Sequence, residues 1–118
     1  MMSRRLLIVD DNRAFRRLAR GLLEAEGYEV VGAARDANEA LTAAGELAPD
    51  VVLLDVHLPD ASGFEVAARL VREQPSVAVV LTSTRSARDF DQLAVASGAR
   101  GFVPKDDLSA AEIDRLLG

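Results

Sequence analysis

The feature that most constrains this chain is a fivefold alternation of short, wholly apolar runs with longer stretches of helical spacing. Runs of strand type recur at Leu6 to Val9, Tyr28 to Ala33, Val51 to Leu54, Val77 to Leu81 and Gly101 to Val103. Leu6-Leu7-Ile8-Val9, Val51-Val52-Leu53-Leu54 and Val79-Val80-Leu81 are apolar at every position, the composition of strands covered on both faces. A first helix is expected from Asn12 or Arg13, with Phe15, Leu18, Ala19, Leu22 and Leu23 on its buried face and Gly27 as its stop. A second spans Ala37 to Leu47, ended by Pro49. A third spans Gly63 to Glu73, with Phe64, Ala67, Ala68 and Val71 inward and Pro75 as terminator. A fourth runs from about Ser86 to Ser97 with Phe90, Leu93 and Ala94 apolar, closed by Gly98, and the last from Ser109 to Leu117. Strict alternation needs crossover connections, which are right-handed and leave helices on both faces of a parallel sheet. The expectation is a five-stranded, doubly wound α/β fold, with residues 1–118 as a single domain.

A chain of 118 residues buries roughly two thirds of its unfolded surface and folds on one core without staples. Its formal charge of −5 and pI of about 4.8 argue against a direct grip on nucleic acid, which needs clustered Lys and Arg. With no cysteine, disulfides, thiolate metal sites and cysteine nucleophiles are excluded. The apolar run at the N-terminus is four residues long, Leu6 to Val9, far short of a signal peptide or membrane span. A cytoplasmic location without membrane contact is the default expectation.

Doubly wound sheets place their sites outside the carboxyl ends of the strands, and those ends are unusually polar here. Asp10-Asp11 follow the first run, Asp55 the third, Thr82-Ser83 the fourth, and Lys105 comes just after the fifth. Each has an ordinary reading. Asp10 or Asp11 could cap the first helix, Asp55 could begin a turn, Thr82 or Thr84 could cap the fourth helix, and a lone lysine is usually a surface residue. Together, three carboxylates, a hydroxyl and an ammonium at the same end of four strands favour a site. Two unit charges about 5 Å apart repel by about 3 kcal/mol at an effective dielectric near 20, more than one lysine can offset across three acids. A divalent cation is the natural remedy, and an all-oxygen set of Asp10, Asp11 and Asp55 suits Mg²⁺ or Mn²⁺ better than zinc. A carboxylate beside such an ion can attack a phosphoryl group, and Asp55 is the candidate nucleophile. Lys105 and Thr82 would then stabilise the transferring charge.

The tokens LLIVDDN at Leu6 to Asn12, PDVVLLDVHLPDASG at Pro49 to Gly63, VVLTS at Val79 to Ser83 and GFVPK at Gly101 to Lys105 resemble, in this order and spacing, the response-regulator receiver (CheY-like) family of two-component signalling. The resemblance covers essentially the whole chain. It implies the flavodoxin-like strand order 2-1-3-4-5, a non-enzymatic phosphoryl acceptor that assists its own phosphorylation and dephosphorylation, and Asp55 as acceptor from the phosphohistidine of a sensor histidine kinase or phosphotransfer protein. It further implies Asp10 and Asp11 as the acidic pair, with Asp11 the surer Mg²⁺ contact, and the backbone carbonyl of His57 as a metal ligand. Thr82 maps to the conserved hydroxyl, Ser83 to the small residue after it and Phe102 to an aromatic switch position, which is equally readable as a core strand residue. Phosphorylation-dependent homodimers through the fourth helix, fifth strand and fifth helix are common in the family, as are helix-turn-helix output domains that regulate transcription.

Two departures stand out. Pro104 precedes Lys105 and Asp106 follows it, where the family usually has Lys-Pro with a cis peptide, and Ser62-Gly63 replaces the usual Asp-Gly. The only histidine, His57, is read as a solvated loop residue; as a hypothesis its side chain and that of Thr84, two residues beyond Asp55 and Thr82, flank the water path to the phosphoryl group. Arg13, Arg16, Arg17 and Arg20 read as a solvated face, while the resemblance places kinase docking near Ala14 and Phe15. Three rivals remain. A haloacid-dehalogenase-type phosphatase wants an aspartate where His57 stands, a flavodoxin wants a phosphate cradle where Asp10-Asp11-Asn12 would repel one, and a pseudo-receiver would lack the intact acid set.

Overall fold

Five parallel strands form one sheet in the order β2-β1-β3-β4-β5. The computed structural model describes residues 4–85 and 88–118. In chain order the elements are β1 (Arg5–Val9), α1 (Arg13–Ala25), β2 (Glu29–Ala34), α2 (Ala37–Leu47), β3 (Val51–Asp55), α3 (Gly63–Glu73), β4 (Ala78–Ser83), α4 (Arg88–Ala96), β5 (Gly101–Pro104), a 3₁₀ turn over Lys105–Asp107, and α5 (Ala110–Leu117). The wholly apolar runs became the three central strands. Leu6 to Ile8, Val52 to Leu54 and Val79 to Leu81 have no solvent exposure, because a helical layer covers each face.

One layer holds α1 and α5, whose Ala19, Leu23 and Ile113 pack on Leu6, Ile8, Leu53 and Val80. The other holds α2, α3 and α4, whose Ala40, Ala44, Ala67, Leu70 and Ala94 pack on Leu7, Val52, Val79 and Leu81. Alternate residues of each strand feed opposite cores, as the period of two requires.

Helix starts are set by side-chain caps. Asn12, Asp36, Ser62 and Ser109 accept from the backbone N–H of Phe15, Glu39, Phe64 and Glu112, each satisfying a donor that the first turn leaves open. Neither Asp10 nor Asp11 caps α1. The Ser86 start expected for the fourth helix lies outside the described residues.

Two expected core positions are corrected. Leu18 is 68% exposed, and Ala68 is exposed while Val66, Ala67 and Leu70 are buried. In α3 the stripes 64, 67, 68, 71 and 63, 66, 67, 70 fit helical spacing equally well. The start of the helix selects the second, since Gly63 lies directly against the backbone of Asp55 and Val56. In α1, Leu18 lies about 100° around the axis from Ala19, at the far edge of the apolar stripe; on the other side the half-buried Arg16 donates to the Asp10 carbonyl at 2.8 Å.

Candidate functional site

The chain leaves β1 toward β2 on one side and enters β3 on the other, so the carboxyl ends of β1 and β3 flank the topological switch point. Asp10 follows β1 and is fully buried, Asp55 ends β3 and is 5% exposed, and Asp11 is exposed. One carboxylate oxygen from each lies within 4.8 Å of the others. Local hydrogen bonds fix two of the three. Asp10 Oδ1 accepts from the Asn12 N–H at 2.8 Å, and Asp55 Oδ1 accepts from the His57 N–H at 3.0 Å. Each aspartate thus braces the loop that follows it, while its second oxygen faces the common space.

Lys105 enters from the 3₁₀ turn after β5. Its Nζ lies 2.6 Å from Asp10 Oδ2 and 3.3 Å from Asp55 Oδ2. The Asp55 contact has hydrogen-bond geometry; the buried Asp10 Oδ2 accepts no hydrogen bond of acceptable angle, so its approach is an ion contact only. The ammonium also sits over the Phe15 ring, 4.5 Å from its centroid. Burial opposes the charge on Lys105, but the Asp10 and Asp55 carboxylates overcome it and raise its pKa above the ordinary lysine value. Burial, and behind it the Asp10 charge, pushes the Asp55 carboxyl up, against the His57 N–H and the ammonium.

No cis peptide occurs among the described residues. At the departure Pro104-Lys105-Asp106 the ammonium still reaches both acids. Thr82 pairs in register with Asp55 on the neighbouring strand, but its buried hydroxyl is turned away, donating to the Val103 carbonyl at 2.6 Å. Phe102 is buried and meets Phe90 edge to face at 5.4 Å, and Phe90 in turn meets Phe64 at 5.8 Å and His57 at 6.2 Å. His57 and Thr84 are exposed.

The family model for the response regulator receiver domain matches residues 6–115. The chain belongs to this family. The receiver is 37% identical over 102 residues to the response regulator GacA of Pseudomonas aeruginosa, covering 86% of this chain and 48% of that protein. It is 30% identical over 104 residues to the chemotaxis protein CheY of Thermotoga maritima, covering 88% and 87%. Among solved structures, the signal receiver domain of the putative response regulator NarL from Mycobacterium tuberculosis superposes with a TM-score of 0.89 at 30% identity, covering 100% of the receiver and 99% of that chain. The receiver spans about half the length of the GacA regulators it matches. No helix among the described residues is long and apolar enough to cross a membrane.

Sequence reasoning missed three supports of this site. A Cβ on Gly63 would stand 2.3 Å from the Asp55 carbonyl oxygen and 2.7 Å from Val56 Cα, so only glycine lets α3 start against the end of β3. Asp60 accepts from the N–H groups of Ala37 and Asn38 at 2.9 and 3.1 Å, tying the loop after Asp55 to the start of α2; these bonds hold its carboxyl below the ordinary value. Arg16, read as part of a solvated face, is bonded to the Asp10 carbonyl. The Gly63 signal was present in the Ser-Gly pair; the other two are long-range contacts with no local signature.

Proposed function

We propose that this receiver accepts a phosphoryl group on Asp55 from the phosphohistidine of a sensor histidine kinase or phosphotransfer protein and switches conformation to control an output, transcription among them. The observation that supports it is the meeting of three carboxylates within 4.8 Å with an ammonium 3.3 Å from Asp55 Oδ2. An excess of buried negative charge is costly unless a further cation completes it. Among the candidate ligands only hard oxygens converge; this donor set fits Mg²⁺, or Mn²⁺ in its place. Asp10, Asp11, Asp55 and the His57 backbone carbonyl are the residues that would hold it. Bound there, the ion would offset the acids and draw charge from the phosphoryl oxygens.

In the transfer, an Asp55 oxygen bonds to phosphorus as the bond from phosphorus to the histidine nitrogen breaks, and the released imidazole takes up a proton. Lys105 meets the growing negative charge on the phosphoryl oxygens. Dephosphorylation is attack of water on the same phosphorus, returning the Asp55 carboxylate and inorganic phosphate. Thr82 leaves the Val103 carbonyl for a phosphoryl oxygen, and Phe102 repacks against Phe90 in response, so that one added charge biases a two-state element. The exposed His57 and Thr84 side chains flank the water path; unchanged decay in His57→Ala and Thr84→Ala would remove them from it. The kinase docks near Ala14 and Phe15, and reversing the charge of Arg16 and Arg17 is expected to slow phosphotransfer while acetyl phosphate still reacts. The phosphorylated form pairs as a homodimer through α4, β5 and α5, and the acidic receiver works in the cytoplasm without itself binding nucleic acid.

The deciding experiment weighs the purified protein after mixing with acetyl phosphate and Mg²⁺. One acid-stable, base-labile phosphoryl group is expected, absent in Asp55→Asn and after chelation. An unchanged mass would overturn this reading.

A further inference from the structure

We infer that Phe15 is a positioning residue for Lys105: its ring face holds the ammonium over the acidic site by a cation–π contact. The inference rests on the preceding reading that Lys105 serves the phosphoryl group. Lys105 is the only lysine in the chain, every other cationic side chain being arginine. A compact ammonium on a four-carbon stem is therefore kept at this one place, and such a stem carries large rotamer entropy that must be restrained.

Among the described residues the restraints on Nζ are three: Asp10 Oδ2 at 2.6 Å, Asp55 Oδ2 at 3.3 Å and the Phe15 ring centroid at 4.5 Å. The first two are carboxylates that the proposed reaction commits elsewhere, Asp10 to the cation and Asp55 to the phosphoryl group. The third is uncommitted. A ring face within about 6 Å attracts an ammonium through its quadrupole, and it competes with no oxygen for that charge. The ring is itself fixed. Phe15 lies in the first turn of α1, its N–H is bound at 3.0 Å by the Asn12 cap, and its side chain packs on the core between the sheet, α1 and α5. Leucine or methionine would fill the space but offer no π face.

The test separates quadrupole from volume. Phe15 is replaced by 4-fluoro-, 3,5-difluoro- and 3,4,5-trifluorophenylalanine through site-specific incorporation, which weakens the ring face with little change of size, and Phe15→Leu serves as the limit. The Mg²⁺-dependent phosphorylation rate with acetyl phosphate is expected to fall stepwise with each fluorine, reaching about fivefold at trifluorophenylalanine and in Phe15→Leu. A second readout needs no phosphorylation. Because there is a single lysine, its ε-methylene proton signal is unique, and it is expected upfield from ring current in the native protein, moving toward the free-lysine position through the fluorine series. A rate that stays flat through that series, or a native ε-methylene signal at the free-lysine position, would overturn the inference. Should the native protein take up no phosphoryl group, the function proposed above fails, and the lysine signal alone still decides for or against the contact.

Discussion

The two ends of this sheet carry similar residue types and treat them in opposite ways. At the amino end the Arg5 N–H donates to Asp50 Oδ2 at 2.8 Å, the Arg5 guanidinium to the Ala48 carbonyl at 3.0 Å, and the Tyr28 hydroxyl to Asp114. Each donor there finds its own acceptor. At the carboxyl end three carboxylates crowd within 4.8 Å of one another, and Asp10 and Asp55 share a single ammonium. Folding alone explains the amino end, since capped and paired groups are what a stable surface requires. The carboxyl end gathers like charges that folding alone does not require, and the proposed cation and phosphoryl site would account for them.

The largest break in that comparison should come from backbone fit. Gly63→Ala drives a Cβ to 2.3 Å from the Asp55 carbonyl oxygen, where only backbone could yield. A loss of about 3 kcal/mol is expected, with Mg²⁺ binding impaired because Asp55 must move. Gly27, between α1 and β2, has a φ of 104° but open space around its missing Cβ. Gly27→Ala should cost about 1 kcal/mol from left-handed strain alone and leave Mg²⁺ affinity untouched. Urea denaturation and Mg²⁺ titration of both variants measure the contrast; equal losses of stability and affinity would mean that the carboxyl end is no more tightly built than the rest.

That contrast also shows how far the residues alone carry the reading. Strand runs, helix stops and the four polar strand ends are local patterns, and the bounds of α2 and α3 follow directly from Pro49, Ser62-Gly63 and Pro75. The meeting of Asp10, Asp11, Asp55 and Lys105 follows too, because a parallel doubly wound sheet leaves those ends nowhere else to go. What stayed hidden depends on phase and distance. Periodicity could not tell which of two stripes α3 buries, since that is settled by where Gly63 docks. Nor could it place Phe15 beneath Lys105, or turn the Thr82 hydroxyl toward Val103, because those contacts join segments far apart in the chain.

A smaller effect should differ in sign between the two ends. With a chelator present, Asp55→Asn removes one of three crowded charges yet keeps an oxygen for the His57 N–H, so it should stabilise the fold by about 1.5 kcal/mol. Asp50→Asn weakens an exposed, satisfied contact and should destabilise by about 0.5 kcal/mol. Burial and Asp10 raise the Asp55 pKa in the folded state, so the native form takes up a proton more readily than the unfolded chain. Stability attributable to this group is therefore present at low pH and lost as pH rises through the raised value. Between neutral pH and about 4 the metal-free protein should gain stability on acidification, and Asp55→Asn should flatten that gain. If Asp55→Asn lowers the urea midpoint instead, Lys105 already balances the acids at the carboxyl end.

The smallest effect is alkaline and sharpens the comparison, because one group at each end titrates there. The chain has one tyrosine and one lysine. Burial first, then the Asp114 hydrogen bond, push the Tyr28 phenol up to about 12, so there the neutral form is favoured by the fold. Lys105 is raised as well, but by Asp10 and Asp55 holding its charged form. Both contributions are complete below the unfolded values and vanish as pH climbs through the folded ones; for Tyr28 that window is about 10 to 12. Tyr28→Phe should cost about 0.5 kcal/mol at neutral pH and remove its share of the alkaline decline. Asp55→Asn distinguishes the ends: by removing one carboxylate it weakens what raises Lys105, while the phenol, paired with Asp114, is unaffected. Phenolate absorbance of the native protein and of Asp55→Asn should therefore give one superimposable curve, whereas the Lys105 ε-methylene titration should move to lower pH in the variant. A lysine curve indifferent to Asp55→Asn would mean that the Asp55 carboxylate does not hold the ammonium.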